Sequence, residues 1–355
     1  MLGTDAACSA DEVIAVLAQR YGTIARAVDR VLLGQSTTNY RVSTTDRRRI
    51  FVTCYPGHAD LAREERAIAS SELAARHGVP VAPVIRNVDG ALLDTAAGLS
   101  VWRWIPGSVA PLLGSRRLTE AGSALGRIHA AFAALPGSSE PSPHTDAWFR
   151  IDPGALRARI DTLLARISAR TGSGERDGFD DAAERTLVER RAMLDHLPAL
   201  LDGLPAGLST QVVHGDFSPV NLLFDGDRLT AVLDFGPPEP FLPAYDLGRM
   251  AFYPHQVGPG RDWPGSARTF VTAYLRTNPA VRDADVAACA RVALVQLLTS
   301  LYGVTQHYLG PAAFQPDLDR FWLARHVAAG TLLDHLDDTE RLLGDVLADR
   351  PRVSM

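Results

Sequence analysis

The chain has 355 residues, of which 46% are hydrophobic and 22% are charged. This composition allows two lobes with real cores and excludes a disordered chain. A formal net charge of -5 without a basic stripe excludes a typical nucleic-acid-binding protein. Cys8, Cys54 and Cys289 are odd in number and lack metal-ligand spacing, which predicts a reducing compartment. With no signal peptide or membrane span recognised, we expect a cytoplasmic protein without a membrane partner.

The amino-terminal part predicts a helix followed by a small strand-rich lobe. Apolar residues at helical spacing predict a helix over 10–21, and strands are predicted over 27–33, 40–43 and 50–55. A second helix is predicted over 61–77, because Gly and Pro follow it closely.

The remainder of the chain is predicted to be mainly helical. A strand with a Pro-Gly stop over 100–107 marks a boundary near Ile105, so we expect domains at 1–105 and 106–355. Helices are predicted over 118–135, 267–276, 283–302 and 318–347, with surface breaks over 136–144, 171–178 and 254–265.

Two short motifs suit phosphoryl transfer. The first runs from His214 through Asp216 to Asn221, and the second ends a predicted hairpin with Asp234. The hairpin brings the Asn221 amide and the Asp234 carboxylate together from positions thirteen residues apart. Such oxygen ligands suit magnesium, and phosphoryl transfer also needs a carboxylate near the attacking hydroxyl. Asp216 is the candidate for that carboxylate.

The order and spacing of these residues resemble the aminoglycoside phosphotransferase and choline kinase superfamily, which is related to the eukaryotic protein kinases. The resemblance covers most of the chain and implies an α+β, bilobal, protein-kinase-like fold. In that fold a small amino-terminal antiparallel β-sheet lobe precedes a larger, mainly helical carboxy-terminal lobe. It also implies ATP and Mg²⁺ as cofactors, Asp216 as the catalytic residue, and Asn221 and Asp234 as metal ligands.

Two further residues resemble supporting positions of the same family. His214 would brace the catalytic loop. Asp246 lies in a segment, 243–247, that resembles the helix-opening segment of the family, where an Asp supports the catalytic loop.

The predicted loop between the first two strands would cover the ATP phosphates with backbone amides and hydroxyl groups. Its candidate binding residues are Gly34, Ser36, Thr37, Thr38 and Asn39. An ordinary hairpin loop is the alternative. The order Gly34, Asn39, Tyr40 followed by Phe51-Val52-Thr53 resembles most closely the homoserine-kinase-like branch.

One departure from the family pattern concerns the strand lysine that touches the phosphates. The chain contains no Lys, since all 36 of its basic residues are Arg, and Thr53 takes the expected place. An Arg is the candidate substitute for the phosphate contact. Glu65, or Glu64 beside it, would be the helix acid that faces the site, although a solvated charge explains the pair equally well. Trp104 or Trp102 would border the adenine pocket. The alternative is that these tryptophans lie in the core of the lobe.

The acceptor is expected to be a hydroxyl of a small molecule, such as an aminoglycoside, an amino-alcohol or a homoserine-like compound. A Ser or Thr of a biosynthetic precursor peptide is an alternative acceptor. Acidic residues over 334–340 would suit a cationic acceptor, or they form a solvated helix face. Two other classes compete: a nucleotide-binding pseudokinase or scaffold without transfer, and a phosphate-ester hydrolase.

Overall fold

The computed structural model describes residues 8–32, 37–140, 142–310 and 314–350. The chain divides into two compact units. The first comprises the residues up to Ala110 together with Val220–Pro238, and the second comprises Pro111–Pro219 and the residues from Glu239 onward.

The helices and strands succeed one another along the chain as follows. Up to Val109 they are α1 (Ala10–Tyr21), β1 (Ala25–Val31), β2 (Thr38–Thr44), β3 (Arg49–Cys54), α2 (Leu61–Arg76), β4 (Val84–Ile85), β5 (Leu99–Arg103) and β6 (Ser108–Val109). From there to Val232 they are α3 (Ser115–Ala133), α4 (Pro143–Phe149), α5 (Pro153–Ser173), α6 (Asp180–Met193), α7 (Leu197–Asp202), β7 (Gln211–Val212), β8 (Leu222–Asp225) and β9 (Arg228–Val232). The last are β10 (Pro240–Phe241), α8 (Pro243–Ala251), α9 (Trp263–Thr277), α10 (Asp283–Thr299), α11 (Val304–Leu309), α12 (Gln315–Asp334) and α13 (Leu336–Ala348).

The first unit is built on an antiparallel sheet in the order β1-β2-β3-β5-β4. Its alternating apolar residues face α1, where Val13 and Leu17 pack against Tyr40, Val52 and Val101. The capping box of Ser9 and Glu12 starts α1. This sheet, together with the helical remainder, confirms the predicted α+β class.

A second, three-stranded sheet in the first unit has the order β6-β8-β9. The β8–β9 pair is the predicted hairpin, and Gly226 takes a left-handed φ of 58° in its turn. This sheet fixes the ends of β8 and β9, where Asn221 and Asp234 lie.

The second unit depends on close helix contacts at glycines. A Cβ on Gly122 or Gly126 of α3 would overlap backbone oxygens of α9, and one on Gly248 of α8 would overlap the Cys289 oxygen of α10. These three glycines therefore let the helix backbones approach each other without intervening side chains.

Helix α10 forms the centre of the second unit. Among the described residues, the segment Asp283–Leu309 is long and apolar enough to span a membrane. However, 67% of its most apolar stretch is buried inside the protein. Such burial is the expected state of a core helix in a globular unit.

The predicted helix over 318–347 is wrong in one respect, because it is divided into α12 and α13 at His335. The two pack differently: α12 contacts α6 and α10, whereas α13 contacts α9 and α10. The predicted surface break over 136–144 is also shorter than expected, since α4 begins at Pro143 behind an N-cap Ser142.

We expect Gly122→Ala to lower the free energy of unfolding by about 1–3 kcal/mol or more, because the new methyl overlaps the Phe270 carbonyl oxygen. The control is Gly344→Ala at an exposed position of α13, where no atom lies within 4 Å of the new Cβ. That change should instead stabilise by up to about 1 kcal/mol, through the helix propensity of Ala. Urea denaturation of both variants measures the difference, and equal effects would contradict the close α3–α9 contact.

Candidate active site

The predicted catalytic loop follows β7 in the second unit. Gly215 has a φ of 83°, which turns the chain sharply and which a residue with a side chain adopts only with strain. His214 and Phe217 on either side are buried, whereas the Asp216 side chain is 42% exposed. The loop therefore presents the Asp216 carboxylate to solvent between two buried side chains.

The buried carboxylate of Asp246 holds this loop. Its Oδ2 accepts a hydrogen bond from the His214 N–H at 2.8 Å, and its Oδ1 accepts one from the Gly215 N–H at 3.1 Å. Asp246 is completely buried in the first turn of α8. The carboxylate thus satisfies two backbone donors at the point where the chain bends.

A chain of side-chain hydrogen bonds orients Asp246. His129 Nε2 lies 3.2 Å from Asp246 Oδ2, and His129 Nδ1 lies 2.9 Å from the Tyr274 hydroxyl. Asn278 Nδ2 donates to that hydroxyl at 2.9 Å. The network is consistent if Nε2 carries the histidine proton and Tyr274 donates to Nδ1. Burial alone would raise the pKa of Asp246, but its hydrogen bond and electrostatic interaction with His129 outweigh this effect, and the net pKa lies below the ordinary value.

Arg249 forms an ion pair with the Asp216 carboxylate. It lies three residues after Asp246 on α8, so both side chains lie on one helix face, toward the loop. Burial alone would lower the pKa of Arg249. The electrostatic interactions with Tyr245 and Asp216 raise it by more than burial lowers it, so its net pKa lies above the ordinary value. Arg249 was not among the residues predicted from the sequence. Its spacing of three residues from Asp246 within a helix was the feature that could have identified it.

In the first unit the structure brings Asn221 and Asp234 together. Asn221 immediately precedes β8, and Asp234 lies two residues beyond β9. The strands pair at Leu222 and Val232, and the Leu233 N–H donates to the Asn221 carbonyl at 2.8 Å. Asp234 has a φ of 59°, an uncommon conformation for a residue with a side chain. A carboxamide and a carboxylate oxygen on adjacent strand ends fit the ligand preference of Mg²⁺.

Two groups of the first unit share the electrostatic environment of Asp234. Burial raises the pKa of Glu64 on α2, Arg63 opposes the shift, and Asp234 adds to it. Burial also raises the pKa of Tyr55 to about 12, with Glu64 and Asp234 contributing, while its 3.1 Å hydrogen bond with Ser100 opposes the shift. Of the two predicted helix acids, Glu64 is thus one whose pKa is raised in part by Asp234. The assignment of Glu65 to the nucleotide stays a prediction.

Only some of the predicted nucleotide-binding residues lie in the part of the first unit that the structure describes. Gly34 and Ser36 lie outside the described residues, whereas Asn39 Nδ2 donates to Thr37 Oγ1 at 3.1 Å and Thr38 begins β2.

Thr53 lies between Asn39 and Ser100 in the strand register, so these three neutral residues form one row across the sheet. Trp104 lies apart from that row and packs against Phe51, with ring centroids 6.4 Å apart.

A family model described as the phosphotransferase enzyme family matches residues 28–284. The chain belongs to this family. Homoserine kinase of Zymomonas mobilis subsp. mobilis is 24% identical over 204 residues, which is 57% of each chain. The match therefore spans little more than half of that relative.

Two solved structures from this kinase-like family share the fold. Spectinomycin phosphotransferase in complex with ADP and spectinomycin has a TM-score of 0.62 at 13% identity, over 91% of this chain and 98% of the other. Amicoumacin kinase in complex with AMP-PNP, Ca²⁺ and Ami has a TM-score of 0.60 at 13% identity, over 92% of this chain and 95% of the other. The predicted kinase-like fold of the phosphotransferase family is confirmed.

We expect Asp246→Asn to lower the free energy of unfolding by about 3 kcal/mol, because it removes the buried charge that satisfies several donors. The depressed pKa of Asp246 stabilises the fold above the aspartate pKa of the unfolded chain, and this contribution is lost as pH falls through the lower folded pKa. The variant should therefore lose part of the wild-type acid sensitivity below about pH 4.

Chemical denaturation at a series of pH values measures this dependence. Exposed Asp202→Asn is the matched control and should follow the wild type. If Asp246→Asn also kept the wild-type pH profile, Asp246 would not be the ionised group that stabilises the loop.

Proposed function

We propose that this protein is an ATP- and Mg²⁺-dependent phosphotransferase that moves the γ-phosphate to a hydroxyl of a small molecule. Acceptors of the aminoglycoside, amino-alcohol or homoserine-like kind are the candidates. The observation that carries the proposal is the Asp216 carboxylate, which is exposed at the tip of a loop whose backbone is fixed by buried Asp246. A rigid loop with one accessible carboxylate is what orienting an attacking hydroxyl requires.

In the proposed reaction Asp216 accepts a hydrogen bond from the acceptor hydroxyl and directs its oxygen toward the γ-phosphorus. A bond forms between that oxygen and phosphorus while the bond to the β–γ bridging oxygen breaks, and ADP leaves. The hydroxyl proton passes to Asp216. Arg249 fixes the orientation of the carboxylate through its ion pair.

Asn221 and Asp234 are the proposed magnesium ligands. Bound magnesium would screen the phosphate charge and hold the phosphates for transfer. The amicoumacin kinase structure contains a nucleotide analogue and a divalent cation, which supports the same requirement here. Glu64 lies in the electrostatic environment of Asp234, as its raised pKa shows.

The remaining assignments follow the family resemblance. The proposed nucleotide-binding residues are Gly34, Ser36, Thr37, Thr38, Asn39, Thr53, Glu65 and Trp104. Residues 1–105 would form the nucleotide lobe and 106–355 the catalytic and acceptor lobe. We further propose a cytoplasmic location, with no membrane or nucleic-acid partner.

Asp216→Asn should bind Mg-ATP normally but lose about two to four orders of magnitude in turnover, the range for a positioned base. The assay is ADP release with aminoglycosides, choline, homoserine and Ser/Thr peptides as acceptors, together with calorimetric titration of Mg-ATP. Asp202→Asn, on the exposed end of α7, controls for the charge change. Full turnover in the Asp216 variant would show that Asp216 has no catalytic role.

Asp234→Ala should weaken nucleotide binding in the presence of Mg²⁺ while leaving metal-free nucleotide binding nearly unchanged, because it removes one metal ligand. Titrations with and without Mg²⁺ measure the difference. Exposed Asp29→Ala on β1 of the same unit is the control and should retain the full metal effect. If the metal effect survived in Asp234→Ala as well, the ligand assignment would be wrong.

A nucleotide-binding pseudokinase is the second candidate, favoured by the neutral row of Asn39, Thr53 and Ser100 where family members carry Lys. It predicts Mg-ATP binding without acceptor-stimulated ADP release. ADP release that is stimulated only by the Ser/Thr peptides would instead identify a peptide acceptor.

A further inference from the structure

Tyr253 packs against the guanidinium group of Arg249. The Cζ atom of Arg249 lies over the Tyr253 ring, 5.2 Å from its centre, and the same side chain forms the ion pair with Asp216. The Nε of Arg249 is buried and forms no hydrogen bond with any described residue, so the ring contact compensates the guanidinium for part of the water that it has lost. Tyr253 is therefore connected to the catalytic loop through one intermediate side chain.

The ring of Tyr253, rather than its hydroxyl, makes this contact. Only 2% of the residue is exposed, and its hydroxyl is buried without a hydrogen bond to any residue within 8–32, 37–140, 142–310 or 314–350. A buried tyrosine hydroxyl normally has a partner, so hydrogen bonding does not explain why a tyrosine lies here. The part of this side chain that contacts a functional residue is its aromatic face.

The backbone holds Tyr253 in place just beyond the end of α8. The Tyr253 carbonyl accepts a hydrogen bond from the Gln256 N–H at 2.8 Å. His255 Nε2 lies 2.9 Å from the Met250 carbonyl, which ties this turn back to the helix. The ring is thus fixed relative to Arg249, which lies four residues earlier in α8.

The ion pair alone would order the Asp216 carboxylate only weakly. The Asp216 side chain is 42% exposed, and water and salt compete for an ion pair at such a position. The Arg249 side chain is only 21% exposed. A guanidinium group is planar, so it can stack one face on an aromatic ring while its edge still donates to a carboxylate. The Tyr253 ring thereby restricts the arginine that directs the carboxylate.

We propose that Tyr253 is a positioning residue for phosphoryl transfer, whose ring holds Arg249 in the orientation in which it directs the Asp216 carboxylate toward the acceptor hydroxyl. This inference rests on the proposed function, since it takes Asp216 as the residue that receives the hydroxyl. It goes beyond that function, because the sequence motifs around Asp216 assign no role to Tyr253. Loss of the ring should lower turnover and leave Mg-ATP binding unchanged, because a misdirected carboxylate affects the transfer step rather than the nucleotide.

The first test observes Arg249 directly and needs no acceptor. In the nuclear magnetic resonance spectrum of the full chain labelled with ¹⁵N-arginine, the Nε–H signal of Arg249 is identified by its loss in Arg249→Lys. The ring current of Tyr253 should shift this signal upfield in the wild type and in Tyr253→Phe, whereas in Tyr253→Leu it should move toward the position of exposed arginines. Phe252→Leu is the matched control and should keep the shift, because Phe252 is also buried but faces Trp263, with ring centroids 6.4 Å apart.

The second test measures ADP release with an acceptor that stimulates the wild type. Tyr253→Leu should lower kcat about tenfold and leave the KM for Mg-ATP unchanged, as expected for the loss of one cation–π contact that orients a reacting group. Tyr253→Phe keeps the ring and should restore kcat to within about twofold of the wild type. Phe252→Leu should have the wild-type kcat. In an Arg249→Gln background, Tyr253→Leu should cause no further loss, because its effect passes through Arg249.

An Arg249 signal at the ordinary arginine position in the wild type would overturn the proposal, even if Tyr253→Leu did not fold. Equal kcat values in Tyr253→Leu and Phe252→Leu would also overturn it, as would a loss in the Arg249→Gln background as large as the loss in the wild type. If no acceptor stimulates ADP release by the wild type, the proposed function fails. The Arg249 signal then decides by itself whether Tyr253 holds Arg249.

Discussion

The candidate active site depends on one buried carboxylate, that of Asp246. Fully removed from water, it receives backbone hydrogen bonds from His214 and Gly215 and a side-chain contact from His129. A buried charge is tolerated only where donors replace water, and here the donors are the loop itself and a histidine oriented by Tyr274. The energetic requirement of the charge and the geometry of the loop are therefore satisfied by the same hydrogen bonds.

The motif residues could be predicted from sequence because their chemistry is encoded locally. The hairpin that pairs Asn221 with Asp234 follows from an Asp-Gly turn between alternating apolar residues, and the structure contains it. The left-handed Gly215 follows equally from residue type. Spacing within a loop or hairpin is short-range information, and one sequence supplies it completely.

The contacts between distant segments could not be predicted in this way. His129 reaches Asp246 from α3, across 117 positions. Helical periodicity indicates which face of a segment is apolar, but not which other helix covers it. Helical periodicity also did not predict the break between α12 and α13 at His335. The two helices have apolar faces of the same period, but they pack against different helices.

The absence of lysine has opposite consequences in the two units. In the first unit, Thr53 stands in a neutral row with Asn39 and Ser100, so this part of the sheet carries no charged side chain in the place expected for the family lysine. In the second unit, arginine has an advantage, because even completely buried Arg190 keeps a pKa of about 9 and therefore its charge at neutral pH. A lysine starts from a lower pKa, so the same burial would favour its neutral form more strongly. A guanidinium group can therefore keep its charge at a buried position of the second unit more readily than an ammonium group.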